Sequence, residues 1–174
     1  MDISGTFDII YADPPWDYNG RQQHNRKYGN KSVCNHYSCM KLSQLKDLPV
    51  VSIASPDSLL FLWTSSPHLP QAIELMTSWG FDYKTIAFVW DKQRLNPSYY
   101  TLSQVEICLV GKRGCIPKPY KRNIHQFYSQ LRERHSKKPD EIRNRIATMF
   151  PTQSKIELFA REKHEGWISW GNQL

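Results

Sequence analysis

Six residues, Phe7-Asp8-Ile9-Ile10-Tyr11-Ala12, form a short, mostly apolar run that stops at Asp13-Pro14-Pro15-Trp16. Proline has no amide hydrogen to give a ladder and its ring fixes φ, so the chain must leave a central strand there. Any fold for this chain therefore needs a strand that ends beside a stiff turn carrying a carboxylate and an indole. The rest of the pattern supplies partners for that strand. Residues 41–48 read as a short helix and 58–64 as a second buried strand. Over 67–79, Leu69, Ala72, Ile73, Leu75, Met76 and Trp79 recur at helical spacing, with Gly80 just beyond. Residues 84–90, 104–110 and 155–160 read as further strands. Residues 139–150 open with a proline and two acids and carry Ile142, Ile146 and Met149, the signature of an amphipathic helix. Strands alternating with helices predict an α/β fold around a mostly parallel sheet, whose ligands lie beyond the carboxyl ends of the strands. No repeat and no Gly/Ser-rich linker divides the sequence, so residues 1–174 read as one domain.

Charge narrows the partner. The chain carries +7, and between Lys112 and Arg145 eleven Lys/Arg face three acids. That stretch alone holds more positive excess than the whole chain. Concentrated cations suit phosphate, since each neutralised phosphate releases counterions, but charge alone does not separate DNA from RNA or an anionic surface. No apolar run is long enough to span a bilayer, and no basic region followed by an apolar stretch marks a leader. Four cysteines make no dense disulfide framework, and an intracellular, cytoplasmic, reducing location is expected. Cys34, His36 and Cys39 are too few for a zinc centre of four ligands, so no metal is expected. The remaining histidines, His68 among them, read as loop residues on the surface.

Asp13-Pro14-Pro15-Trp16 is the feature that points to chemistry. An aromatic amine such as adenine N6 is a poor nucleophile because its lone pair is delocalised into the ring. Acceptors aimed at its two N–H bonds favour the nucleophilic geometry and stabilise the positive charge that develops. Asp13 supplies a carboxylate, a rigid turn can aim the Pro14 carbonyl, and Trp16 offers a flat surface for a purine. The segment after it interleaves Arg21, Arg26, Lys27 and Lys31 with Tyr18 and Tyr28, which suits a flipped or single-stranded base. A second substrate-side loop is read at 96–100, where Tyr99 and Tyr100 either face substrate or cover the core.

These residues resemble the MT-A70 family of adenine-N6 methyltransferases nearly from end to end. The resemblance runs through Ala12-Asp13-Pro14-Pro15-Trp16, Tyr37-Ser38-Cys39-Met40, Leu60-Phe61-Leu62-Trp63, Phe88-Val89-Trp90 and Cys108-Leu109-Val110-Gly111. It continues in Lys138-Pro139-Asp140-Glu141-Ile142, Ile156-Glu157-Leu158-Phe159-Ala160-Arg161 and Gly166-Trp167 through Gly171-Asn172-Gln173. It implies a Rossmann-like S-adenosylmethionine-dependent methyltransferase, helices on both faces of the sheet, with the catalytic motif ahead of the cofactor segment. Asp13, Pro14, Pro15 and Trp16 would be catalytic, and Tyr18, Tyr37, Trp63 and Glu106 would meet the acceptor. Asp13, Lys138, Glu157, Phe159, Arg161, His164, Asn172 and Gln173 would hold the cofactor, Lys138 on its carboxylate. The acidic residue that grips the cofactor adenine in longer members has only Asp2 as a stand-in. Lys163 or His164 would replace the polar pair after the arginine, and no Gly-x-Gly-x-Gly loop is present. DNA is the expected acceptor because the chain is compact. RNA, cytosine N4, a small molecule and an inactive partner subunit of the same fold are the rival readings, and a second copy or a related subunit is the partner protein to look for.

Overall fold

The computed structural model describes residues 3–17, 39–98, 100–131 and 137–171. Its elements are β1 (Phe7–Ala12), α1 (Leu42–Lys46), α2 (Val50–Ile53), β2 (Ala54–Thr64), α3 (Leu69–Ser78), β3 (Asp82–Pro97), β4 (Leu102–Arg113), β5 (Phe127–Ser129), α4 (Asp140–Met149), β6 (Lys155–Leu158) and β7 (Ile168–Trp170). They form one seven-stranded sheet in the order β5-β3-β4-β2-β1-β6-β7. β1 pairs in parallel with β2 and β6, β6 with β7 and β3 with β5, whereas β4 is antiparallel to both β2 and β3. Six strands therefore run one way and β4 alone is reversed. The mostly parallel sheet expected from the sequence is present, with an antiparallel β3–β4 hairpin built into it.

The period-two alternation of the strands divides the core into two layers. Ile10, Ala12, Leu60, Leu62 and Leu109 pack under α1, α2 and α3, and Ile9, Tyr11, Phe61, Trp63, Phe88, Trp90 and Cys108 pack under α4. Helices thus cover both faces. Trp63, Trp79 and Trp90 are fully buried. At roughly 200 Å² each, an indole of this kind is worth about 5 kcal/mol of transfer free energy. α3 ends as its glycine predicts. Gly80 takes φ 80°, its N–H reaches Thr77 O, and Phe81 N–H reaches Met76 O at 2.9 Å, which satisfies the last carbonyls of the helix. α2, β5 and β7 were not legible in the sequence, being only three or four residues long. Cys108 and Cys115 are free and Cys39 is disulfide-bonded. No described helix is long and apolar enough to cross a membrane.

Candidate active site

The common direction of β1, β2, β3, β6 and β7 brings five strand ends to one edge of the sheet. At the end of β1 the two prolines fold the chain back on itself. Trp16 N–H donates to Pro14 O at 2.9 Å, and Met40 N–H donates to Pro15 O at 2.8 Å, which ties the turn to the start of the next element. The Pro14 carbonyl keeps its second lone pair. Pro14 is buried, Pro15 partly so.

Asp13 follows Tyr11 on the face covered by α4. There its Oδ2 accepts a hydrogen bond from Lys138 Nζ at 2.8 Å. Lys138 stands just before α4, and its ammonium also lies 3.2 Å from Glu106 Oε2 on β4. The other oxygen of Glu106, Oε1, accepts from Lys92 Nζ on β3 at 3.3 Å. Lys92, Glu106, Lys138 and Asp13 are thus a chain of alternating charges, with the two lysine side chains 8% and 9% exposed. Lys138 also lies over the ring of Trp63, 5.6 Å from its centroid. Burial pushes the Asp13 carboxyl above its usual range, and the Lys138 ammonium pulls it back only in part. Burial acts on Glu106 too, but Lys138 and Lys92 together outweigh it and hold that carboxyl below its usual range. Burial alone would weaken the proton affinity of Lys138, yet Asp13 and Glu106 raise it well above the ordinary lysine value. A cleft of about 210 Å³, lined by Trp90, Tyr128, Lys137, Lys138, Pro139 and Asp140 among others, opens beside Lys138 at the start of α4.

Other expected residues occupy different places. Trp16 is not an open platform. It is 8% exposed, stacks on His68 with ring centroids 5.8 Å apart, and donates Nε1–H to Trp63 O at 3.1 Å. It packs on the α1–α3 side because it lies beyond the strand, where the turn points it away from Asp13. His68, expected at the surface, is buried with Nδ1 2.9 Å from Ser65 Oγ. Trp63 has no exposed surface for an acceptor; it donates to Tyr11 Oη at 2.6 Å and backs Lys138. Glu157 faces Arg143, which donates to it through Nε at 2.7 Å and Nη2 at 3.2 Å and reaches Asp140 at 2.8 Å. Both of its carboxylate oxygens therefore accept from a buried guanidinium. Arg143 itself escaped the sequence reading, although it lies three residues from Asp140, one turn along the helix.

At the end of β6, Phe159 takes φ 62°, a left-handed conformation unusual for a side chain of its size. Its ring meets Trp170 edge to face at 5.5 Å. Arg161 follows, half-buried and close enough to lower the proton affinity of Asp13. Ala160 N–H donates to Trp170 O at 2.9 Å, and a Cβ on Gly171 would lie 2.1 Å from Ala160 O. Only glycine allows the two strand ends to approach this closely. His164 lies in the following turn, half-buried, its carbonyl accepting from Trp167 N–H at 3.2 Å. Tyr18, Tyr37, Asn172, Gln173, Asp2, Tyr99, Tyr28 and the cations Arg21, Arg26, Lys27 and Lys31 lie outside the described residues. Tyr100 is fully exposed and does not cover the core. Among the described residues no group of three His, Cys, Asp or Glu side chains is placed to hold a metal ion.

Lys92 was missed as well. Its signal was its spacing: it lies two residues after Trp90 and four after Phe88, in phase with the buried face of β3.

A single reversed strand in an otherwise co-directional sheet, with a carboxylate-bearing Pro-Pro turn at its carboxyl edge, defines a Rossmann-like methyltransferase. The sequence matches the MT-A70 family over residues 7–173, and the chain belongs to that family. It is 45% identical to the type II methyltransferase M.MunI of a Mycoplasma species over 97% of its own length and 78% of the other's. It is 33% identical to an MT-A70-like N(6)-adenosine-methyltransferase of Arabidopsis thaliana and 27% identical to the N(6)-adenosine-methyltransferase catalytic subunit METTL3 of Homo sapiens. All of this chain is covered in both, but only 24% and 29% of those longer proteins.

Proposed function

We propose that this chain, as one methyltransferase domain, transfers the methyl group of S-adenosylmethionine to the N6 amine of adenine in DNA. The observation that carries the reading is the Asp13–Lys138–Glu106 cluster at the carboxyl edge of the sheet. Bound there, the donor supplies an electrophilic methyl carbon on a sulfonium. Asp13 accepts a hydrogen bond from the amine and the Pro14 carbonyl accepts another, so the nitrogen lone pair turns toward that carbon. Transfer, with the C–S bond electrons departing with the donor, would leave the amine nitrogen cationic. Its proton then passes to Asp13, whose burial already favours the protonated form. Lys138 and the amino end of α4 suit the donor's carboxylate. Phe159, Arg161 and Gly171 suit its nucleoside end.

The likeness to a bacterial type II methyltransferase, covering nearly all of this chain, favours DNA, and the adenosine-N6 names of the other relatives favour the position. The reading makes the chain a cytoplasmic enzyme that acts on nucleic acid. Methyl transfer from labelled donor to matched DNA and RNA oligonucleotides, with base analysis of the product, tests it. N6-methyladenine in DNA is expected. Product confined to RNA would change the acceptor, product at cytosine N4 would change the base, and no transfer to either polymer would remove the enzyme reading.

A further inference from the structure

We propose that Lys92 is a positioning residue for methyl transfer, holding Glu106 as an anion so that Lys138 stays anchored between Glu106 and Asp13. The inference rests on the site reading above. Lys92 is 7% exposed, and its ammonium lies 3.3 Å from Glu106 Oε1 while Lys138 holds Oε2 at 3.2 Å. Each oxygen of Glu106 thus has its own cation. Without Lys92, Glu106 would keep one cation in a largely desolvated place, where the neutral acid is favoured. A neutral Glu106 no longer draws Lys138, and the ammonium would settle wholly on Asp13. An Asp13 capped in that way is a poor acceptor for the substrate amine.

The backbone is shaped for this contact. The β3–β4 register breaks at Lys92: Asp91 pairs with Val105 and Asn96 with Ser103, so residues 92–95 stand opposite Gln104 alone. Gln93 takes φ 52°, and its N–H is held by Asp91 Oδ1 at 2.8 Å. Asp91 also accepts from Gln104 at 2.7 Å and from Ser129 at 2.9 Å, which fixes the bulge from β3, β4 and β5 at once. A bulge bends its strand and re-aims side chains. This one starts at the lysine that points inward, while Arg94 and Leu95 beyond it are exposed. Among the described residues, the charged and titratable groups around Glu106 are Lys92 from β3, Lys138 from the segment before α4 and Asp13 from the turn after β1. Arg161 stands near Asp13, and the buried Cys108 thiol of β4 lies near Asp13 and Lys138.

The test compares kcat/KM against pH for the wild type, Lys92→Met and Lys92→Arg, together with the Glu106 side-chain carboxyl titration followed by carbon-13 NMR. In Lys92→Met the Glu106 titration should move to higher pH by about one unit, while the acidic limb, which Asp13 sets, should move to lower pH as Lys138 settles on Asp13. Lys92→Arg, whose guanidinium stays charged, should return both toward the wild type. If Lys92→Met folds poorly, the double variant Lys92→Met/Glu106→Gln removes both charges. It should share the pH profile of Glu106→Gln alone. An unmoved limb with an unmoved Glu106 titration in Lys92→Met overturns the proposal, as does a profile of the double variant that departs from that of Glu106→Gln. A wild type that methylates no nucleic acid overturns the functional reading instead, and the NMR titration still judges Lys92.

Discussion

Asp13 is held by one ammonium and Glu106 by two, and this asymmetry separates the tasks of two carboxylates that share a lysine. Neighbouring titratable groups pushed in opposite directions are how one site keeps a permanent anion beside a proton acceptor. Asp13→Asn keeps the shape and removes the charge. It should lower kcat by about 10²–10³-fold, the usual loss for one electrostatic partner of a transition state, with an unchanged circular dichroism spectrum. The ionised form of Asp13 is the working one, so activity falls as pH drops through its pKa. Because that pKa is raised, the acidic limb of the wild-type profile should lie above the range of an ordinary aspartate. Glu157 makes a different case. With its carboxylate on Arg143, Glu157→Gln should cost about 3 kcal/mol in urea denaturation, the low end for breaking a buried pair because Asp140 still holds Arg143. Donor affinity by calorimetry should stay near the wild-type value. A large loss of affinity with full stability would return Glu157 to the cofactor.

The elements that matter most are the ones that end at the site. β1 could be read because a proline pair marks its end, and α3 and α4 could be read because their apolar stripes are long. β7 could not, since Ile168–Trp170 is too short to show a period. Its place is set by tertiary contact: it pairs with β6, and Gly171 lets its end close on Ala160. Gly171→Ala should therefore force β7 away from residues 159–161. We expect a loss of about 1–3 kcal/mol in stability, as for other overpacked sites, with a weaker donor Kd measured in the same preparation. Unchanged values for both would mean that the two strand ends part without consequence. The β3–β4 hairpin was legible as two strands but not in its bulge, because register breaks depend on the partner strand and leave no local pattern.

Across the whole molecule, co-directional strands gather the residues of the site at one edge of the sheet. α4 starts two residues after Lys138, at Asp140, and at ten residues carries the chain about 15 Å to Met149. Tyr120 N–H reaches Met149 O at 2.8 Å, so the exposed Lys118, Lys121 and Arg122 lie toward the end of α4 remote from the site. These three cations are thus not part of the pocket lining, unlike Lys137 and Lys138 of the same basic stretch, and at physiological salt they are screened from it. They act on nucleic acid only by touching phosphate themselves. Replacing all three by Ala should leave kcat at saturating substrate unchanged, weaken DNA binding and reduce the slope of log K against log salt. An unchanged slope would place the duplex elsewhere on the surface.

The sequence by itself determined the strand that stops at Asp13, the α/β alternation, and the residues from which the site is made. Those are local facts: proline chemistry, helical and strand periods, and a family pattern are all written in neighbouring residues. Only the tertiary structure decided which of those residues meet. The pairing of Lys138 with Asp13 spans 125 positions, Trp16 turned inward onto His68, and Glu157 was taken by Arg143. A charged group finds its partner through the burial and distance created when strands far apart in the chain become neighbours, and no window of sequence contains either quantity.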